Sequence, residues 1–223
     1  MLQLLKKTKD PGSALTHLIG VMLSIIASIL LITRSYKYHS LTHTVSITIF
    51  SLSLILLYTA STLYHTFNLT DKINSNLRKF DHMMIYCLIS GTYTPVCLTI
   101  LKGPVGYIML AVIWSMAIIG MFITIFIKNP RKWISAIIYI VMGWTCIFAL
   151  NPLYEQLSFD GFLWLLLGGI FYTIGGIIYA LKLPIFNNHH HNFGNHEIFH
   201  VFVLIGSFCH VIFIFNSIIP IPV

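Results

Sequence analysis

Long apolar runs separated by short polar gaps make up nearly the whole chain. The hydrocarbon core of a bilayer takes about 20 apolar residues of α-helix to cross, and seven runs reach that length. The gaps hold or border all thirteen lysines and arginines. The pattern predicts an all-α integral membrane protein, a seven-transmembrane-helix bundle with one domain over residues 1–223. The predicted helices are approximately 13–33, 43–66, 81–101, 104–127, 132–150, 160–181 and 196–219.

Composition agrees with a multi-pass protein of the cell membrane. Hydrophobic residues are 57% of the chain and charged residues only 9%, whereas about a quarter of an ordinary soluble domain is charged. The net charge of +7 does not require nucleic acid, because basic loops that face anionic lipid explain it. The expected partners are therefore membrane lipids and not nucleic acid. The oligomeric state stays open.

The distribution of basic residues predicts the orientation. Cytoplasmic loops of membrane proteins carry an excess of Lys and Arg. Alternate gaps place ten basic residues on one side of the membrane and three on the other, so we expect the N-terminus in the cytoplasm and the C-terminus outside. The ten are Lys6, Lys7, Lys9, Lys72, Arg78, Lys79, Lys128, Arg131, Lys132 and Lys182, and the three are Arg34, Lys37 and Lys102.

This orientation brings polar side chains from four predicted helices to one depth near the cytoplasmic surface. His196 and His200 are four residues apart at the start of the last helix, so both imidazoles share one helical face. Ser61 and His65 have the same spacing at the end of the second helix. Polar residues within lipid are costly and are functional candidates by default. The other members are Asp81 and His82, expected in the first turn of the third helix, and Thr16 and His17 of the first.

A metal site fits this set of residues. His65, His196 and His200 are the predicted ligands, and three neutral imidazoles leave one position of tetrahedral zinc open for water. Zinc makes hydroxide available near neutral pH, so a polar bond in a lipid substrate within the bundle could be cut. Asp81 and Ser61 are the candidate catalytic residues that position this water. His17 and His82 are expected to support the ligands without binding the metal.

Each of these residues also has a simpler interpretation. Asp81 is equally consistent with a helix cap, because a negative charge favours a helix N-terminus. Ser61 could also simply bond its own backbone, which is common for serine in lipid. His210 lies too far from His200 to share a metal, about 15 Å along a helix, and is expected to be buried and hydrogen-bonded. His196-Glu197-Ile-Phe-His200 also matches the short zinc-protease pattern in which the glutamate is the general base.

Taken together, these motifs resemble the haemolysin III family, within the progestin and adipoQ receptor superfamily that includes the adiponectin receptors. The resemblance covers nearly the whole chain. The order that carries it is Ser61-x-x-x-His65, then Asp81, then His196-x-x-x-His200. The flanking matches are Thr16-His17, Phe80-Asp81-His82, Gly91-Thr-Tyr-Thr-Pro95 and Gly206-Ser-Phe-Cys-His210.

The resemblance implies seven transmembrane helices, a cytoplasmic N-terminus and a zinc near the inner face. It assigns the zinc to the positions of His65, His196 and His200, and it matches the family's aspartate and serine to Asp81 and Ser61. Some relatives look like ceramide amidases, and the bacterial branch takes its name from haemolysis. The chain departs from the pattern near Ser13, where small residues replace the acidic or amide residue that relatives often have.

Two functions follow as hypotheses. The first is a zinc-dependent membrane hydrolase that acts on a lipid amide or a similar bond. The alternative is a non-enzymatic membrane protein with structural zinc, acting in membrane lysis, sensing or lipid homeostasis. The polar residues are expected at one depth, which favours a binding site. A channel would instead need a polar stripe along several helices. A water molecule in the fourth zinc position would favour chemistry, and a protein ligand there would favour structure.

Overall fold

The computed structural model describes residues 8–38, 40–127, 132–181 and 194–220, and within these ranges the chain is helical without β-strands. Two π-helical segments, Val96–Ile100 and Ile214–Ile218, continue the third and last helices, and a 3-10 segment, Trp144–Ala149, joins the fifth helix to the sixth. The α-helices are α1 Pro11–Tyr38, α2 Leu41–Thr66, α3 Asp71–Pro95, α4 Gly103–Phe126, α5 Lys132–Gly143, α6 Leu150–Gln156, α7 Phe159–Leu181 and α8 Asn195–Phe213.

Seven spans long and apolar enough to cross a membrane lie in the described part of the chain, with α5, the 3-10 segment and α6 forming the fifth as Trp133–Gln156. The predicted seven-helix, multi-pass membrane architecture is confirmed. The orientation stays a prediction. Five of the basic residues used for it lie outside the described ranges: Lys6, Lys7, Lys128, Arg131 and Lys182.

The prediction that α3 begins near residue 81 is wrong, because this helix begins ten residues earlier, at Asp71. The Thr70 side chain accepts from the backbone N–H of Ile73 at 3.4 Å, and the Asp71 carboxylate suits the positive end of the helix dipole. Asp81 therefore lies in the third turn and does not cap the helix. The apolar pattern marks the part of a helix within lipid, while a capped polar turn extends it into water.

Proline explains the irregular end of the third span. Pro95 has no N–H for the helical ladder, and the π-helical segment begins at the next residue, with the Thr99 hydroxyl donating to the Pro95 carbonyl at 2.6 Å. Two residues before Pro95, the Tyr93 hydroxyl donates to the Gly143 carbonyl at 2.7 Å and accepts from the Cys146 N–H at 2.9 Å. Tyr93 thus satisfies backbone groups at the junction between α5 and the 3-10 segment.

The spans close into a ring. α1 packs on α2, α2 on α3, α3 on α4 and on α5, α5 on α7, α7 on α8, and α8 returns to α1. Glycines let α7 and α8 approach closely: a Cβ at Gly168 would lie 2.6 Å from His210 Nε2, and one at Gly206 would lie 2.7 Å from Tyr172 Cδ1. The ring brings the first turns of α1 and α8 beside the last turn of α2. We call this end of the bundle the histidine end.

Candidate metal centre and cavity

Three histidines converge at the histidine end. His65 comes from the last turn of α2, and His196 and His200 come from the first two turns of α8. One ring nitrogen from each lies within 4.8 Å of the other two, and His65 Nε2 is 3.1 Å from His196 Nε2. His65 and His200 are buried, and His196 is half-buried. The helical spacing that predicted this cluster therefore produces a site that could hold a metal ion.

Hydrogen bonds on the opposite side of two rings point their Nε2 atoms into the cluster. His65 Nδ1 lies 3.0 Å from Asp10 Oδ2, and a carboxylate can only accept, so Nδ1 carries the proton. His200 Nδ1 lies 3.2 Å from Thr16 Oγ1. The Thr16 hydroxyl donates to the carbonyls of Gly12 and Ser13, so its oxygen is left to accept from His200 Nδ1–H. Both rings then present an Nε2 lone pair.

The donor set fits a divalent metal. Two nitrogens bound to one tetrahedral zinc at 2.0–2.1 Å stand about 3.3 Å apart, close to the 3.1 Å between His65 Nε2 and His196 Nε2. Two lone pairs this close repel unless a proton or a cation lies between them. Three imidazoles suit zinc, copper, iron or nickel better than magnesium or calcium. The cluster could therefore hold an ion of this kind.

An elongated apolar cavity of about 430 Å³ begins beside the histidines and runs through the bundle. His196 and His200 form part of its wall at the histidine end. It continues past Val96 of the third span to Leu153 of α6 and Phe162 of α7. Leu153 lies near the end of the fifth span and Phe162 near the start of α7, both away from the histidine end, so the cavity extends through most of the bundle.

Asp81 and Ser61 line the same end of the cavity as the histidines. Asp81 of α3 and Ser61 of α2 are both buried, and the two side chains are neighbours. Within the described ranges, Ser61 Oγ has no well-formed hydrogen bond, so the interpretation that it bonds its own backbone does not hold. The predicted meeting of polar residues from α1, α2, α3 and α8 therefore occurs. The catalytic roles of Asp81 and Ser61 stay predictions.

His17 and His82 take different positions. The His17 ring stacks on His200, with centroids 3.5 Å apart and planes at 14°, and meets Tyr58 edge-on at 5.1 Å. His17 is buried in the cavity wall, and among the described residues neither of its ring nitrogens has a hydrogen-bond partner. His82 is half-buried, and its carbonyl accepts from the Tyr139 hydroxyl at 3.2 Å. Both residues adjoin the site, but neither belongs to the cluster of three.

Glu197 has a structural position that the zinc-protease pattern does not anticipate. Its Oε1 accepts from the Ser13 hydroxyl at 2.6 Å, and its Oε2 accepts from the Gly194 N–H at 2.8 Å. The carboxylate thereby caps α8 and ties it to α1. Both oxygens are engaged, so the geometry does not favour Glu197 as a general base. The small residue at position 13 supplies the hydroxyl that this contact needs.

The sequence does not predict the hydrogen-bond partners of the candidate ligands. Asp10 was unassigned, and Thr16 was noted only as the neighbour of His17. The N–H groups of Lys9 and Asp10 donate to the carbonyls of Thr66 and His65 at 3.3 and 2.9 Å, which places the Asp10 carboxylate beside His65. The one sequence signal for this contact is that Asp10 is an acidic residue directly before Pro11. No helical periodicity relates Asp10 to α2.

The expectation that His210 is buried is confirmed, whereas among the described residues one of its two ring nitrogens lacks the expected hydrogen bond. His210 is 5% exposed, and within the described part of the chain its Nδ1 has no hydrogen-bond partner. The ring lines the cavity and stacks on Tyr172, with centroids 5.4 Å apart and planes at 23°. A buried polar atom without a partner is costly, so His210 needs an explanation beyond packing.

Known proteins are similar in sequence to this chain over most of its length. Residues 5–211 match the family described as Haemolysin-III related. The chain is 41% identical over 200 residues to Hemolysin-3 of Bacillus cereus, covering 89% of this chain and 87% of that protein. It is also 41% identical over 200 residues to the Hemolysin-3 homolog of Bacillus subtilis, and this match covers 89% of each protein.

A more distant similarity extends beyond bacteria. The chain is 32% identical over 87 residues to an ADIPOR-like receptor of Saccharomyces cerevisiae. The matching region covers 38% of this chain and 26% of that protein. The seven-span bundle and the match over most of its length agree with the resemblance drawn from the motifs. This chain belongs to the haemolysin III-related family.

Proposed function

We propose that the protein is a zinc-dependent membrane hydrolase that cleaves a lipid amide. One observation carries the proposal: the cluster of three histidines opens onto an apolar cavity whose wall also contains Asp81 and Ser61. A structural metal needs no access to such a cavity, whereas a hydrolase needs a place for its substrate beside the metal. The apolar length of the cavity suits an acyl chain, with the polar bond held at the histidine end.

His65, His196 and His200 would hold the metal, and Asp10 and Thr16 would keep two of the imidazoles in the tautomer that binds it. When bound, zinc supplies a Lewis acid that polarises a carbonyl and makes water more acidic. Burial of His65 and His200 keeps bulk water away from this region, which strengthens the electrostatic interactions.

Asp81 would move the proton. Its carboxylate accepts a proton from the attacking water and returns it to the leaving amine, as a general base and then a general acid. The neighbouring Ser61 hydroxyl donates to a carboxylate oxygen or to the substrate, and so orients the reacting groups. Asp81 lies in the third turn of α3 and therefore stands at the cavity wall rather than at the helix end.

A second candidate function rests on the names of the relatives. Hemolysin-3 of Bacillus cereus and its Bacillus subtilis homolog favour a membrane-lytic protein in which the metal only joins α2 to α8. Such a protein needs the three histidines but has no use for a carboxylate at the cavity wall. Asp81 therefore distinguishes the two functions.

The test uses full-length protein purified and placed in lipid nanodiscs, with metal content and release of fatty acid from an N-acyl sphingosine measured together. Wild type should hold about one zinc per chain, as one tetrahedral site requires, and should release fatty acid. Asp81→Asn should keep the zinc and lose at least about a hundredfold in rate, the lower range for a general base. His200→Ala should lose both. Asp71→Asn, an exposed position on the same helix, is the matched control.

Two results would contradict the proposal. Folded wild-type protein without bound metal would exclude the zinc site. Zinc-loaded wild type that releases no more fatty acid than Asp81→Asn would exclude the hydrolase, and lysis of erythrocytes or liposomes by the same preparation would then support the second candidate.

A further inference from the structure

Among the residues that the structure describes, one polar side chain in the half of the cavity beyond the histidine end has a ring nitrogen without a hydrogen-bond partner. We call the part of the cavity lined by Thr92, Tyr93, Trp144, Cys146, Tyr172, Thr173 and His210 the distal cavity. It is otherwise apolar, with Val96, Leu153 and Phe162 among its walls. A polar side chain at such a depth is expensive unless it is paired.

Other polar side chains of the distal cavity are paired within the protein. The Thr92 hydroxyl donates to the Leu88 carbonyl at 2.8 Å, and Trp144 Nε1 donates to Thr173 Oγ1 at 2.9 Å. The Tyr93 hydroxyl is engaged at the α5 junction described above. The Tyr172 hydroxyl lies 2.8 Å from Ser207 Oγ. These groups therefore have no need of a ligand.

His210 differs from them. It is 95% buried, since its exposed fraction is 5%, and Nδ1 has no hydrogen-bond partner among the residues that the structure describes. The ring is held flat against Tyr172 and fills the space left by the missing side chain of Gly168. The ring lines the cavity, so a ligand there can reach it. A neutral imidazole there offers one donor and one acceptor.

We propose that His210 is a second recognition point, which binds a hydroxyl group on the chain of a long lipid amide. His210 lies ten residues beyond His200 on α8, or about 15 Å at 1.5 Å per residue. A ligand with its amide at the histidine end would therefore place a hydroxyl at mid-chain beside His210. The position of the amide rests on the proposed function, whereas the recognition of the hydroxyl rests on His210 alone. The substrate class is thus a lipid amide with a hydroxylated chain.

Two positional isomers test this directly. In 12-hydroxyoctadecanamide the hydroxyl lies about 14 Å from the carbonyl along an extended chain with carbon–carbon bonds of about 1.5 Å; in the 5-hydroxy isomer it lies only about 5 Å away. The isomers have the same composition, so their partitioning into lipid is closely matched. Binding is measured by displacement of tritiated octadecanamide from the full chain in nanodiscs, with the amides checked for integrity by chromatography.

We expect wild type to bind the 12-hydroxy isomer about five- to tenfold more tightly than the 5-hydroxy isomer, the effect of one buried hydrogen bond. His210→Leu should bind both equally, and His210→Gln, which keeps a donor and an acceptor, should retain part of the preference. His210→Phe preserves the stack on Tyr172 and serves if the leucine variant fails to fold. Thr92→Val removes a hydroxyl that is already paired, and should leave the preference unchanged.

The outcomes separate this inference from the hydrolase proposal. Equal binding of the isomers by wild type, no displaceable binding, or the same preference in the folded His210→Leu or His210→Phe protein would overturn the role of His210. None of these results depends on turnover. A protein without zinc or amidase activity that still prefers the 12-hydroxy isomer would contradict the hydrolase and retain the recognition point.

Discussion

Asp10 accepts a hydrogen bond from His65 Nδ1 across 3.0 Å, joining the segment before α1 to the last turn of α2. The Asp10 side chain is 43% exposed, whereas that of His65 is 3% exposed. A carboxylate at the protein surface thus orients a buried imidazole that is a candidate metal ligand. Such an outer partner fixes the tautomer and raises the basicity of the ligand.

Replacing Asp10 by Asn should weaken metal binding without unfolding the protein. Asn keeps the size of the side chain and caps helices as well as Asp does, but it lacks the charge that holds His65 Nδ1–H. We expect zinc affinity to fall by about tenfold, at the low end of the range for outer partners. Competition with a chelator of known affinity measures this, and Asp71→Asn is the control. Unchanged affinity would show that Asp10 does not tune the ligand.

Thr16→Val should have a comparable effect through the second ligand. The valine keeps the shape of threonine but removes the oxygen that lies 3.2 Å from His200 Nδ1. A loss of about tenfold in zinc affinity is expected. Thr33→Val, on the same helix, removes a hydroxyl that bonds only to its own helix backbone, and should leave affinity unchanged. Equal losses in the two variants would point to α1 stability rather than to the ligand.

Gly168→Ala should destabilise the bundle, because the new Cβ would lie 2.6 Å from His210 Nε2. Overpacking of this kind costs about 1–3 kcal/mol. At Gly169, the next residue, a Cβ meets nothing within 4 Å, and alanine gains about 1 kcal/mol in helix propensity. Thermal unfolding in detergent should therefore shift down for Gly168→Ala and stay equal or rise for Gly169→Ala. The opposite order would refute the close contact of α7 with His210.

A double-mutant cycle should measure the tie between α1 and α8. Ser13→Ala and Glu197→Gln each disturb the 2.6 Å hydrogen bond, so their effects on the free energy of unfolding should be non-additive by about 1 kcal/mol or more. Zinc stoichiometry should stay at the wild-type value in Glu197→Gln, because Glu197 is outside the histidine cluster. Additive effects would indicate that the contact contributes no stability.

Much of the fold could be predicted because bilayer thickness sets the length of an apolar span. The seven runs correspond to the seven spans, and most predicted ends agree within a few residues. The largest error is at α3, where residues 71–80 are helical but polar. Hydropathy does not register a helix that continues into water, and the Thr70 cap with Asp71 was the signal that marked its start.

The candidate site was predictable where a single helix contributes two of its residues. The i,i+4 spacing of His196 with His200 and of Ser61 with His65 follows from helical geometry, and the basic loops placed both pairs at one end. Asp10, Thr16 and the Ser13–Glu197 contact were not predictable. Thr16 and His200 are 184 residues apart, and only the return of α8 to α1 brings them together.

By itself, the sequence determined the number of spans and the end at which the histidines gather, because hydropathy, helical period and loop charge are local properties. The tertiary structure decided which nitrogens face one another, which carboxylate is exposed and which is in the cavity wall, and that His210 has an unpaired nitrogen. These depend on how helices distant in sequence rotate and pack, and side-chain direction at a helix interface is fixed only when the neighbouring helix is in place.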